Sequence, residues 1–202
     1  MFRCKIAAIS TLLMLTVSSA SGQGMYLDNN ESAFGFYGGF MSLGNKQSVA
    51  FGGGFSIRGK FDVSVSQSNL DGRTSLTAGL MCWFKDNSPS ITSVGLNFGV
   101  GKAEGGSLIG LVGISVSTRV IRSTHVIVAP IGTVGLAVTT KQGQSSQAIV
   151  EGGLGIAVRT GEKTSLVLEG AFGHSGETYT SVGVGLIIRW VQKDRGELLA
   201  ER

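Results

Sequence analysis

Between residue 33 and residue 190 the chain repeatedly alternates between apolar and small side chains, in runs separated by turn residues. In 48–57, Val49, Phe51, Phe55 and Ile57 share one face with Gly53. Ser48, Ala50, Gly52, Gly54 and Ser56 take the other. Residues 61–68 set Phe61, Val63 and Val65 against Asp62, Ser64, Ser66 and Ser68. Residues 178–190 set Val182, Val184, Leu186, Ile188 and Trp190 against Ser181, Gly183, Gly185, Ile187 and Arg189. Successive side chains of a pleated strand point to opposite faces, so a period of two excludes a helical fold and predicts a sheet. One face of that sheet is strongly apolar and the other is very small. Composition fits such a sheet. The chain has 32 Gly in 202 residues, and only 15% of its residues are charged. Soluble domains average about 25% charge, so few positions here are built to face water. Hydrophobic content of 42% argues against disorder.

Extended along the chain, the pattern predicts ten strands: 33–43, 48–57, 61–68, 74–85, 90–101, 107–119, 125–139, 147–159, 164–173 and 178–190. Turn residues separate them, among them Arg58-Gly59-Lys60, Asp71-Gly72-Arg73 and Thr160-Gly161-Glu162. Short connections make sequence neighbours pair antiparallel. A ten-stranded open sheet would leave unpaired edges, which closure removes. The expectation is therefore an all-β, antiparallel up-and-down transmembrane β-barrel of about ten strands, with eight or twelve if one hairpin is miscounted. In three strands, Ile109, Leu111, Ile127, Ile131 and Ile149 fall on the small face. Such residues suit packing inside a closed sheet, or a buried strand of a soluble sandwich.

Residues 1–20 read as a secretory signal. Arg3 and Lys5 precede an apolar run from Ile6 to Val17, and Ser18-Ser19-Ala20 offers a cleavage site after Ala20. Residues 21–32 form an N-terminal segment, 33–190 the barrel, and 191–202 a charged tail. One cysteine, Cys82, follows the signal, so no internal disulfide is expected. An exported chain without that staple draws its stability from a full core or from a membrane.

Alternation alone does not say which face is outside. The small face carries few of the Lys and Glu residues that keep a water-facing sheet soluble, and strands of 9–11 residues match a tilted membrane crossing. Phe34, Phe36, Phe55, Phe61, Phe84 and Trp190 all fall toward the end where the chain enters and leaves the barrel, as a periplasmic aromatic girdle would. No Phe, Tyr or Trp occurs between Phe98 and Phe172. The last strand closes on Gly185-Leu186-Ile187-Ile188-Arg189-Trp190. Its Gly185, Ile188 and Trp190 resemble the terminal assembly signal of outer-membrane barrels. With the export signal and the Gly-rich strands, residues 33–190 resemble small bacterial outer-membrane β-barrel proteins at the level of pattern, without singling out one family. The resemblance implies a non-enzymatic integral protein of the cell outer membrane with a structural or narrow-channel role. Its partners would be the lipid bilayer and the outer-membrane assembly machinery.

The remaining chemistry is sparse. Asp62, Glu151, Arg159, Glu169 and Arg189 are the charges expected on the lumen face, for internal ion pairs or a water path. His174, Ser175 and Glu177 stand together near the outer end of the ninth strand, which leaves an outer-rim hydrolase using His174 as one alternative. A soluble exported β-sandwich or barrel binding a hydrophobic ligand or a protein is another. Two distant His and one Cys give no metal-ligand spacing, so no metal or cofactor is expected. Net charge is only +4, with basic residues scattered singly, so nucleic acid is not an expected partner.

Overall fold

The computed structural model describes residues 22–28, 31–43, 45–70, 73–85, 92–103, 108–122, 125–139, 145–175 and 177–191; the segment 1–20 and the tail beyond Val191 lie outside the described residues. A 3-10 turn, Gly22–Tyr26, precedes the strands. They run β1 (Glu31–Leu43), β2 (Lys46–Ile57), β3 (Phe61–Leu70), β4 (Arg73–Lys85), β5 (Thr92–Ala103) and β6 (Leu108–Thr118). After them come β7 (Ile121–Arg122), β8 (Val126–Thr139), β9 (Ser145–Arg159), β10 (Thr164–Ser175) and β11 (Glu177–Val191). Ten are long. The two-residue β7 sits against the start of β8, with Ile121 opposite Val128.

The long strands pair antiparallel with their chain neighbours all the way round. β1 pairs with β11 from Glu31↔Val191 to Leu43↔Tyr179. β6 pairs with β8 from Ile109↔Thr139 to Ser117↔Ile131. Those two pairings leave no long strand with a free edge, so the sheet is a closed, ten-stranded, up-and-down barrel. Strand ends differ from the sequence reading by one or two residues. β1, for instance, already starts at Glu31, inside the stretch assigned to the N-terminal segment.

Closure turns the two sequence faces into an outside and an inside. Phe36, Phe40, Phe98, Val100, Val134, Val150, Leu168, Phe172 and Val184 are all exposed on the exterior. Ser56, Ser64, Ser66, Ser93, Asn97, Ser115 and Ser165 are buried within. In water this exterior would be one continuous apolar patch around the molecule, far beyond the few hundred Å² a soluble monomer tolerates. In hydrocarbon it is the complementary surface, and a closed ladder leaves no backbone group of the strands wanting a partner there. The barrel is therefore a membrane-spanning one. A soluble sandwich would need the apolar face inside, and here it is outside.

Among the described residues, two apolar clusters occupy the interior. One joins Ile109, Ala137 and Ile149, with Leu111 against them. The other joins Met81, Trp83, Ile127, Ala129, Ala157, Val167 and Ile187 to Met25, Tyr26 and Leu27, which do not belong to the wall. The apolar residues on the small face thus pack inside the bore, and Ile127 does so against the chain's own N-terminal segment, with Ile131 packed against the same cluster.

Candidate functional site

The bore is filled at its terminal end, where both ends of the barrel chain lie, by residues 23–28. Met25, Tyr26 and Leu27 are 2%, 3% and 0% exposed. Counted from Gly22, the segment is short and carries two glycines, so it can form only one 3-10 turn, closed by Leu27 N–H donating to Gly24 O at 3.2 Å. One such turn leaves most of its carbonyls without an internal partner. Two cations from the wall take them. Lys85 Nζ donates to Leu27 O at 2.7 Å and also to Gly24 O. Arg119 Nε donates to Met25 O at 2.7 Å, and its Nη2 to Leu27 O. Arg119 Nη1 pairs with Asp28 Oδ1 at 2.9 Å, with the arginine side chain buried and the aspartate partly exposed.

The carboxylates of the wall meet the segment's donors. Asp62 Oδ2 accepts from Gly24 N–H at 2.8 Å and from Trp83 Nε1 at 2.7 Å. Glu169 Oε1 accepts from the Tyr26 hydroxyl at 2.9 Å. Burial raises that hydroxyl well above the usual phenol range, and the neighbouring Glu169 charge adds to the rise, so Tyr26 stays a donor. At the rim, Asp28 N–H donates to Glu31 Oε2 at 2.9 Å, and Arg159 Nη2 lies 3.5 Å from Glu31 Oε1. Charge-assisted bonds of this kind are each worth about 1.5–3 kcal/mol, more than neutral ones.

Backbone shape makes the room. A Cβ on Gly155 would lie 1.7 Å from the Tyr26 hydroxyl, so the ring fits only over a residue without a side chain. Below the segment, the β2–β3 turn has Arg58 and Gly59 at φ 53° and 61°, the pairing of a type I′ hairpin. A Cβ on Gly59 would stand 2.7 Å from both Asp28 O and Lys85 Nζ. This turn closes under the segment's exit.

All five charges expected on the lumen face point inward, but they do not form one group. Asp62 and Glu169 hold the segment, as above. Glu151 accepts from Tyr179 at 2.8 Å. Arg159 reaches Glu31. Arg189 is buried, and its Nε and Nη2 have no hydrogen-bond partner among the described residues. The six aromatics of the expected girdle are all exposed on the exterior near the terminal end. Trp190 packs on Phe34 with ring centroids 5.0 Å apart, and Phe34 meets Phe55 edge-on at 6.4 Å. Gly185 faces the bore, while Ile188 and Trp190 face out.

His174 is exposed on the outer face of β10, its Nδ1 3.4 Å from Thr178 Oγ1. Glu169 projects from the same strand into the bore, so the two cannot act on one substrate. Cys82 is half-buried on the outer face and forms no disulfide. Among the described residues no group of His, Cys, Asp or Glu has the make-up of a metal site. The groups that do the most work at this site, Lys85, Arg119, Trp83 and Tyr26, carried no motif in the sequence.

These features define a membrane β-barrel with its own N-terminal segment seated in the bore. No family model matches the chain, and no curated protein matches it. Several solved outer-membrane or transmembrane barrels do. A NanC porin is 5% identical, with 77% of this chain and 98% of that one covered and a TM-score of 0.48. The β domain of the Bordetella autotransporter BrkA is 10% identical, over 79% of this chain and 99% of that one, at 0.47. A de novo designed transmembrane β-barrel is 16% identical, over 81% and 98%, at 0.38.

Proposed function

We propose that the protein is a non-enzymatic integral barrel of the bacterial outer membrane, closed at its periplasmic end by its own N-terminal segment. Its resting role is structural, and passage through it is narrow and depends on the segment leaving the bore. One observation carries this reading: the carbonyls of Gly24, Met25 and Leu27 are held inside the barrel by Lys85 and Arg119. The export signal, the exterior apolar belt and the terminal Gly185, Ile188 and Trp190 pattern support the outer membrane as its location. They also support handling by the assembly machinery of that membrane. The exterior position of His174, across the strand from Glu169, speaks against the rim hydrolase.

Planar-bilayer recording tests the proposal. The wild-type chain should give rare, small openings. Gly155→Val, which removes the space for the Tyr26 ring without touching the strand ladder, should give a larger and more persistent conductance. A wild-type barrel that conducts freely, with no increase in the variant, would overturn it.

A further inference from the structure

Beyond the seated segment, toward the opposite end of the bore, lies a cavity of about 90 Å³. Its floor is the segment itself, through Gln23, Met25 and Tyr26, and its walls include Ile131, Val167, Glu151 and Glu169. The cavity has two halves of different chemistry. Met25, Ile131 and Val167 are apolar. Glu169, half-buried, and Glu151, buried, bring two carboxylates to the same space. Gln23 is 7% exposed, its amide lies over Gly35, and its Oε1 has no hydrogen-bond partner. An amide oxygen left unbonded in such a place costs about 1–3 kcal/mol, so its presence calls for a donor. No Lys, Arg or His lines the cavity among the described residues. Lys85, Arg119, Arg159 and Arg189 stand at the terminal end of the bore, and Lys46, on the lumen face of β2, stands toward the other end; none of them lines the cavity. The polar wall therefore offers acceptors and negative charge, with the Tyr26 hydroxyl already committed to Glu169.

We propose that this cavity binds a small organic ammonium ion, its N–H donors on Gln23 Oε1 and Glu169 and its methylenes on Met25, Ile131 and Val167. Size sets the scale. A cavity of about 150 Å³ holds benzene, so one of this volume holds roughly four heavy atoms, the size of propylammonium. A bare inorganic cation would leave the apolar half empty. A neutral molecule of the same shape would bring no positive charge to Glu169. The site rests on the reading of a segment-closed barrel, because that segment supplies its floor and one of its ligands.

The test is titration of the full-length, detergent-solubilised protein with propylammonium, 1-propanol and Na⁺, followed by saturation-transfer NMR and calorimetry. Propylammonium should bind saturably, and the other two at least about tenfold more weakly. Glu169→Gln removes the charge, and Ala171→Leu fills the space without altering charge. Each should weaken propylammonium by at least about tenfold while the boiled and unboiled forms still differ in gel mobility. Equal binding of 1-propanol would leave only an apolar hole, and equal binding of Na⁺ would leave an inorganic cation site. Either result, or no binding to a correctly assembled wild type, overturns the proposal. The wild-type ligand series decides the chemistry whether or not a variant assembles. A wild type that fails to bind yet stays closed in bilayers loses the ammonium site alone. One that fails to bind and conducts freely loses the closed barrel as well.

Discussion

Replacing Arg119 with Ala should release the N-terminal segment and leave the barrel standing. The side chain makes three contacts to the segment: Met25 O at 2.7 Å, Leu27 O, and Asp28 Oδ1 at 2.9 Å. Without it, two carbonyls of the docked segment lose a charged donor and Asp28 loses one cationic partner. Removing one partner of a buried pair costs about 3–5 kcal/mol. Asp28 is partly exposed, and water in the bore can replace part of what is lost, so the low end applies. A cost of about 3 kcal/mol lowers the docked-to-released ratio roughly 100-fold. The strand ladder does not involve the Arg119 side chain, so closure of the barrel should survive. The assay is labelling of a reporter, Leu27→Cys, with a membrane-impermeant thiol reagent in a Cys4→Ser, Cys82→Ala background. Leu27 is fully buried, so labelling reads release. The rate should rise on the order of 100-fold in Arg119→Ala, with the heat-dependent gel shift retained. An unchanged rate in correctly assembled protein would refute the reasoning, because the segment would then be held without help from Arg119.

Gly59→Val adds a Cβ at φ 61° and 2.7 Å from Asp28 O, and a β-branched side chain in that region costs about 1–3 kcal/mol; the temperature at which the folded gel band disappears should fall. Trp83→Phe keeps an aromatic ring, though a smaller one, and removes the donor to Asp62, at a cost of about 1–3 kcal/mol; it should speed labelling of the Leu27 reporter less than Arg119→Ala does. Val134→Arg places a charge on the exterior, opposite Ile114 and Val150, where a basic side chain at the midplane costs about 2–4 kcal/mol; folded protein in the membrane should drop. Unchanged yield in Val134→Arg would place this face outside the hydrocarbon.

The barrel was legible because every long strand repeats the same rule. A period of two, broken by turn residues at regular spacing, fixes which residues share a face whatever the strand's partner is. The five lumen charges followed from that parity alone. The seated segment did not follow. It has seven described residues, two of them Gly, and its partners lie far along the chain: Asp62 is 38 positions from Gly24, Arg119 is 94 from Met25, and Glu169 is 143 from Tyr26. No local pattern carries information over such separations. Two traces of it were nonetheless present. Trp83 and Met81 are bulky apolar residues on a strand face that they share with Ser75, Thr77 and Gly79. Ile127 and Ile131 break the polar face of their strand, and both pack in the cluster that holds the segment. A bore-filling partner was the missing explanation for both. Lys85 and Arg119, at strand ends, bond to backbone carbonyls, which leave no residue signature.

The measurement that bears most directly on the account is gel mobility of the alkali-washed, detergent-solubilised membrane fraction, boiled against unboiled, after expression of the full chain in a Gram-negative host. A closed ten-stranded ladder with an apolar exterior should survive the wash. It should migrate as a compact band unboiled and shift on boiling, since the strands can separate only together. Soluble material that washes away and shows no shift would contradict a membrane barrel and put the apolar face back inside.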